Sequence, residues 1–171
     1  KTLDFILSFG EKLSSKIIFY FLKLNITKKI KYLDSSKVIK TNNNYFNADV
    51  NINMSTNHIK KYISEIQFEL LVVPGFIASS ENDNSITTIG RGGSDYTASI
   101  FGVGSLSKYV EIWTDVNGIM TCDPNIVSNA QEITEMSFHE MFELSYYGGK
   151  VLYHKTISPL CKNNIPLFIK N

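Results

Sequence analysis

Eleven consecutive residues, Thr87-Thr88-Ile89-Gly90-Arg91-Gly92-Gly93-Ser94-Asp95-Tyr96-Thr97, form the densest set of groups able to handle an anion. Three glycines allow backbone N–H groups to close on a phosphate or carboxylate, and the helix expected to open at Ser94 adds the positive end of its dipole. Arg91 can fork onto a carboxylate or phosphate, Ser94 can cap or donate, and Asp95 at the helix start can align a lysine or a metal. Taken alone, such a loop reads as a tight turn with an N-cap. Glu11, Thr114-Asp115 and Lys150 also have ordinary readings: a solvated helix face, a strand-ending cap and neutralisation of a helix end. His58, His139 and His154 lack ligand-like spacing to one another or to Cys122 and Cys161, so no metal-ligand set is expected.

The glycine-rich string resembles the aspartokinase signature of the amino-acid kinase superfamily, and three further segments match in the family's order. Ser8-Phe9-Gly10-Glu11-Lys12-Leu13-Ser14 looks like its glycine-glutamate helix segment, and Ile112-Trp113-Thr114-Asp115-Val116-Asn117-Gly118 like its nucleotide-site strand end. Glu143-Leu144-Ser145-Tyr146-Tyr147-Gly148-Gly149-Lys150-Val151-Leu152 is similar to its second lysine motif, in the version fused to homoserine dehydrogenase. The resemblance covers essentially the whole chain, so residues 1–171 are expected to form one amino-acid kinase domain. It implies transfer of a phosphoryl group from ATP, with Mg²⁺, to the side-chain carboxylate of L-aspartate at the head of lysine, threonine and methionine synthesis. NADP is implied only if a fused dehydrogenase lies beyond the chain.

By the same resemblance, Glu11 holds the ammonium group of the amino acid and Arg91 a carboxylate, with Gly92, Gly93 and Ser94 in the substrate site. Asp95 organises catalysis, Thr114 and Asp115 contact the nucleotide, and Lys150 sits near its phosphates. Such chemistry is mostly positioning and charge neutralisation, and an acceptor carboxylate that is already ionised needs no general base. Asn125 stands where the family usually carries a nucleotide-holding arginine, and the family's amino-terminal strand with its Lys-Phe-Gly-Gly segment has no counterpart. The amino terminus therefore looks cut from something longer, and this fragment alone is expected to be inactive. Two rival readings are a truncated or degenerate kinase domain acting as a non-catalytic scaffold or regulatory module, and a superfamily kinase with another acceptor.

The elements that must position these groups follow from periodicity. Leu3, Ile6, Leu7, Leu13, Ile17, Ile18, Phe21 and Leu24 predict a helix with one buried stripe, interrupted at Gly10 where something could approach closely. Lys31 to Asp34 and Val50 to Met54 read as strands, followed by helical segments over Ser35 to Lys40 and Thr56 to Ile66, the latter capped by Ser55. Thr41 to Asn47 reads as a surface loop, and Phe68 to Ser79 as one strand covered on both faces. Ser94 to Val103 is a helix, Tyr109 to Thr114 a buried strand with Trp113 in the core, and Asp115 to Asn125 a loop. Ser137 to Tyr147 is a helix ended by Gly148 and Gly149, and Pro166 to Lys170 a final strand. This alternation predicts an α/β fold: a three-layer αβα sandwich with a mainly parallel open sheet.

Composition bounds the function classes. The formal charge of +1 from 17 basic and 16 acidic side chains gives no basic face able to neutralise many phosphates, so nucleic acid is not an expected partner. The longest apolar stretch, Phe68 to Ala78, is too short for a membrane-spanning helix and carries Glu69 and Pro74. Two distant cysteines read as free thiols of a reducing compartment, so a cytoplasmic protein is expected. A homo-oligomer is expected of the full-length protein.

Overall fold

The computed structural model describes residues 1–115, 118–122, 126–146 and 152–171. Helix α1 (Thr2–Asn25) runs unbroken through Gly10. Its inward face is not the apolar stripe the sequence predicts. Asp4 and Ser8 are fully buried, while Leu3, Ile6, Leu7, Leu13, Ile17, Ile18, Phe21 and Leu24 are all exposed. The reason lies in the partners of the polar face. Asp4 Oδ2 accepts from the Phe46 and Thr88 amides, Lys12 pairs with Asp34 at 3.0 Å, and the Ser15 hydroxyl meets the Tyr32 hydroxyl. These specific polar contacts fix the helix orientation against the pull of its periodicity.

Strands β1 (Ile30–Tyr32) and β3 (Leu70–Val72) pair in parallel, as do β2 (Lys40–Thr41) and β4 (Ile77–Ser80). β4 turns back antiparallel onto β5 (Ile86–Thr88), a strand absent from the sequence reading. The expected single strand over Phe68 to Ser79 is thus two strands in two sheets. Pro74, which has no N–H, and Phe76 at φ 67° break the run between them. The strand expected at Val50 to Met54 is mostly helix. Asn51, not Ser55, caps α2 (Ile52–Glu65) by accepting from the Met54 amide, and Val50 makes only an isolated bridge to Thr41. Ser55 is buried inside α2, where its hydroxyl accepts from the Lys40 amide. The helix expected over Ser35 to Lys40 is a single 3₁₀ turn, Ser35–Lys37, beneath an Asp34 cap.

Helix α3 (Gly93–Gly104) lies between two cores. Tyr96 and Ile100 pack with Ile39, Ile59, Ala78 and Ile89, while Ala98 and Val103 pack against Val110, Ile157 and Leu160. The second core is framed by the parallel pair β6 (Val110–Trp113) and β9 (Leu167–Lys170). It is completed by α4 (Phe138–Tyr146) and α5 (His154–Lys162), the latter absent from the sequence reading. Within the loop expected over Asp115 to Asn125, β7 (Ile119–Met120) pairs antiparallel with β8 (Glu132–Ile133), a strand the sequence reading did not assign. Trp113 is exposed rather than core: it ends β6 on the outer face, with the Lys170 ammonium over its ring. The architecture is mixed α/β, with three parallel pairings among helices. The described strands fall into four hydrogen-bonded groups. Gly148 and Gly149 lie outside the described residues. Among the described residues, no helix is long and apolar enough to cross a membrane, and both cysteines are free.

Candidate functional site

The glycine-rich loop leaves β5 and turns at Gly90 into α3. Gly92, the N-cap, sits at φ 65°, a left-handed conformation that side chains resist, and a Cβ added there would lie 2.6 Å from Tyr153 Cβ. The Gly93 N–H donates to the Gly90 carbonyl, closing the turn, and no side chain caps α3. Its first turn therefore keeps the polar character that favours an anion.

A second turn supports the first. Gly75 packs so closely under Ser94 that a Cβ would meet the Ser94 backbone at 2.8 Å. The Phe76 N–H donates to Thr97 Oγ1 at 3.1 Å, the Thr97 hydroxyl donates to the Gly93 carbonyl at 2.7 Å, and the Ile89 amide donates to the Phe76 carbonyl. The start of α3 is thus clamped to the segment joining β3 and β4.

Glu11 comes to the same place from α1. Glu11 and Ser94 line one cavity of about 520 Å³, with Gly75 and Thr97 beside them and an apolar wall that includes Leu71 and Phe101. The anchor that sets α1 against this site is Asp4, which sequence reasoning missed. Its Oδ2 accepts from Phe46 N at 3.0 Å, Thr88 N at 2.9 Å and the Thr88 hydroxyl at 3.2 Å. An acidic residue in the first turn of an apolar helix was the available signal, and it reads equally well as a dipole partner.

The other expected residues fall into three groups. Arg91 is exposed on the loop, and Asp95 is half-buried in the first turn of α3. Burial raises the Asp95 carboxyl above its ordinary range. Thr114 and Asp115 stand outside the cavity, at the carboxyl end of β6, where the Thr114 amide extends the ladder to the Lys170 carbonyl. Asn125 and Lys150 lie outside the described residues. Two larger cavities, of about 680 and 800 Å³, are lined by none of the expected residues. Among the described residues, no group of three or more His, Cys, Asp or Glu could hold a metal.

The amino acid kinase family model matches residues 1–171. The chain is 35% identical to aspartokinase 3, chloroplastic, of Arabidopsis thaliana, over 98% of this chain and 30% of the relative. It is 36% identical to lysine-sensitive aspartokinase 3 of Escherichia coli, over 97% and 37%. The structure superposes on E. coli aspartokinase III in complex with aspartate and ADP with a TM-score of 0.89, at 34% identity over 98% of this chain and 37% of that one. A UMP kinase from Bacillus anthracis, 13% identical with a TM-score of 0.58, shares the fold. The chain spans roughly a third of the length of these aspartokinase relatives. With one family model matching from end to end and the same fold recurring in solved kinases, the chain belongs to the amino acid kinase family.

Proposed function

We propose that this chain is part of an ATP-dependent kinase that phosphorylates the side-chain carboxylate of L-aspartate. The observation that carries this reading is the meeting of Glu11 and Ser94 in one cavity beside the uncapped start of α3. A buried-edge carboxylate suits the ammonium group of an amino acid, and the neighbouring Arg91 suits a carboxylate. The first-turn amides and the dipole of α3 suit the charge of the transferring phosphoryl group. Mg²⁺ would arrive on the nucleotide phosphates, a mode that needs one or two protein carboxylates rather than a cage. It would offset phosphate charge. Asp95 is the carboxylate placed to orient cationic groups there, with Thr114 and Asp115 toward the nucleotide. Asn125 and Lys150 are proposed as nucleotide contacts on the family resemblance alone. Likeness to an aspartokinase solved with aspartate and ADP favours this acceptor over others.

The test is calorimetric titration of aspartate and Mg²⁺-ATP into this chain and into the longer polypeptide that carries it. A hydroxylamine assay for acyl phosphate accompanies it. Aspartate binding that weakens about 10- to 100-fold in Glu11→Gln, the loss of one charge-assisted contact, supports the reading. Binding of neither ligand to the longer polypeptide would overturn it in favour of a non-catalytic module.

A further inference from the structure

Helix α3 belongs to both cores, so two halves of the molecule meet along it. The first half carries Glu11 and the glycine-rich loop, and the second carries β6, which leads to Thr114 and Asp115. A second seam joins them. Tyr153, the N-cap of α5, lies against Gly92, where an added Cβ would come within 2.6 Å of its own. Just beyond it, the Lys155 ammonium meets Asp49 Oδ1 at 3.0 Å, across 106 residues of chain. The pairs Lys12–Asp34 and Lys170–Glu111, by contrast, each stay within one half.

Both partners are held in place. Asp49 closes the loop that follows β2: its amide donates to Asn42 Oδ1 at 3.0 Å, and its Oδ2 accepts from Asn42 Nδ2 at 3.2 Å. The Ala48 amide donates to the Thr88 carbonyl and the Phe46 amide to Asp4, so this loop is tied to the strand entering the glycine turn and to the start of α1. Lys155 stands in the first turn of α5, where a cation opposes the helix dipole. That turn contains no acidic side chain and has no side-chain cap. Asp49 therefore supplies, from the other half, the negative charge that the helix start lacks.

The lysine side chain is 29% exposed and the aspartate side chain 63%. An ion pair so open to water adds little to global stability. It is nevertheless enough to bias how two bodies already in touch are set against each other, and phosphoryl transfer is sensitive to that, since a displacement of about 1 Å can cost 100-fold in rate. Resting on the reading of function above, we propose that Asp49 and Lys155 are positioning residues. Their ion pair, beside Tyr153 on Gly92, seats the start of α5 against the glycine turn and so sets the amino acid's side of the reaction against the nucleotide's.

The experiment is acyl phosphate kinetics in the longer polypeptide with Lys155→Glu, Asp49→Lys and the two combined, alongside exchange of the Gly93 amide, which closes the glycine turn. Lys155→Glu improves the charge at the start of α5, so a role confined to that helix predicts unchanged turnover and a thermal transition at or above that of wild type. The positioning role predicts kcat lowered about 10-fold in each single variant, KM for aspartate within about twofold, and recovery to within about threefold of wild type in the swap. Single variants with wild-type kcat overturn the proposal, as does a swap no faster than either of them. If the wild type makes no acyl phosphate from aspartate, the reading of function falls and the Gly93 amide decides the pair. Exchange about tenfold faster in each single variant and restored in the swap upholds the seat on the glycine turn; unchanged exchange overturns it.

Discussion

Asp4 is the residue whose removal best tests how the site is assembled. It is fully buried, and the Oδ2 atom alone accepts from two backbone amides and one hydroxyl, while Oδ1 has no partner. Truncation to alanine strands the Thr88 and Phe46 amides at about 1 to 3 kcal/mol each. Release of a buried carboxylate returns part of that cost, so Asp4→Ala is expected to lose about 2 to 4 kcal/mol. Asp4→Asn can keep an acceptor at the Oδ2 position and turn its amino group to the unpartnered side, and is expected to lose only about 1 to 2 kcal/mol. Urea denaturation monitored by circular dichroism measures both, and exchange of the Thr88 amide should quicken about 100-fold in the alanine variant. The reasoning also requires a functional consequence. Glu11 lies two turns along α1 from Asp4, so a helix released at its start loosens its hold on the cavity, and aspartate affinity should fall in both variants. An alanine variant within about 0.5 kcal/mol of wild type would refute the account, because surface-like tolerance is incompatible with a carboxylate anchoring two elements.

Three further outcomes are expected. Gly92→Ala combines left-handed strain with a Cβ only 2.6 Å from Tyr153 Cβ, and should cost about 2 to 4 kcal/mol in thermal unfolding while Gly10→Ala stabilises slightly. The Tyr96 hydroxyl is pushed up to about 12, by burial first and then by the charges of Asp49 and Tyr153. Its contribution to stability is therefore full below the ordinary value of 10 and lost as pH rises through about 12, which tyrosinate absorbance with parallel unfolding curves will show. Burial raises Asp95, so its ionisation opposes folding at neutral pH. Asp95→Asn should raise the urea midpoint there, with the gain vanishing below the unfolded value of 3.8, and should abolish acyl phosphate formation in the longer polypeptide.

What the sequence made legible was local chemistry. The turn from Gly90 to Gly93 could be read because its backbone geometry demands glycine where glycine stands, and the helix that follows begins where its signals say. The strands of the second core, β6 and β9, were legible as short β-branched runs. Failures arose where one pattern serves two structures. Phe68 to Ser79 is apolar enough for one long strand, yet Pro74 and the close seat of Gly75 under Ser94 divide it between two sheets. Val50 to Met54 alternates like a strand, yet one hydrogen bond from the Met54 amide to Asn51 Oδ1 makes it a helix start. Helix α5 was hidden by Pro159 inside it. The nearness of Glu11 to Ser94 spans 83 residues of chain, and no local signal carries a contact of that range. Family resemblance supplied it.

The reading of α1 shows why periodicity alone misled. An apolar stripe states that a face is to be covered, not by what. The structure instead turns inward the face bearing Asp4, Lys12 and Ser15, each with a named polar partner. Those partners orient α1 more sharply than apolar burial can, because hydrogen bonds are directional and hydrophobic contact is not. Substitutions on the inner face act on the site through Glu11, whereas Ile17→Lys leaves every bond to Asp4 in place.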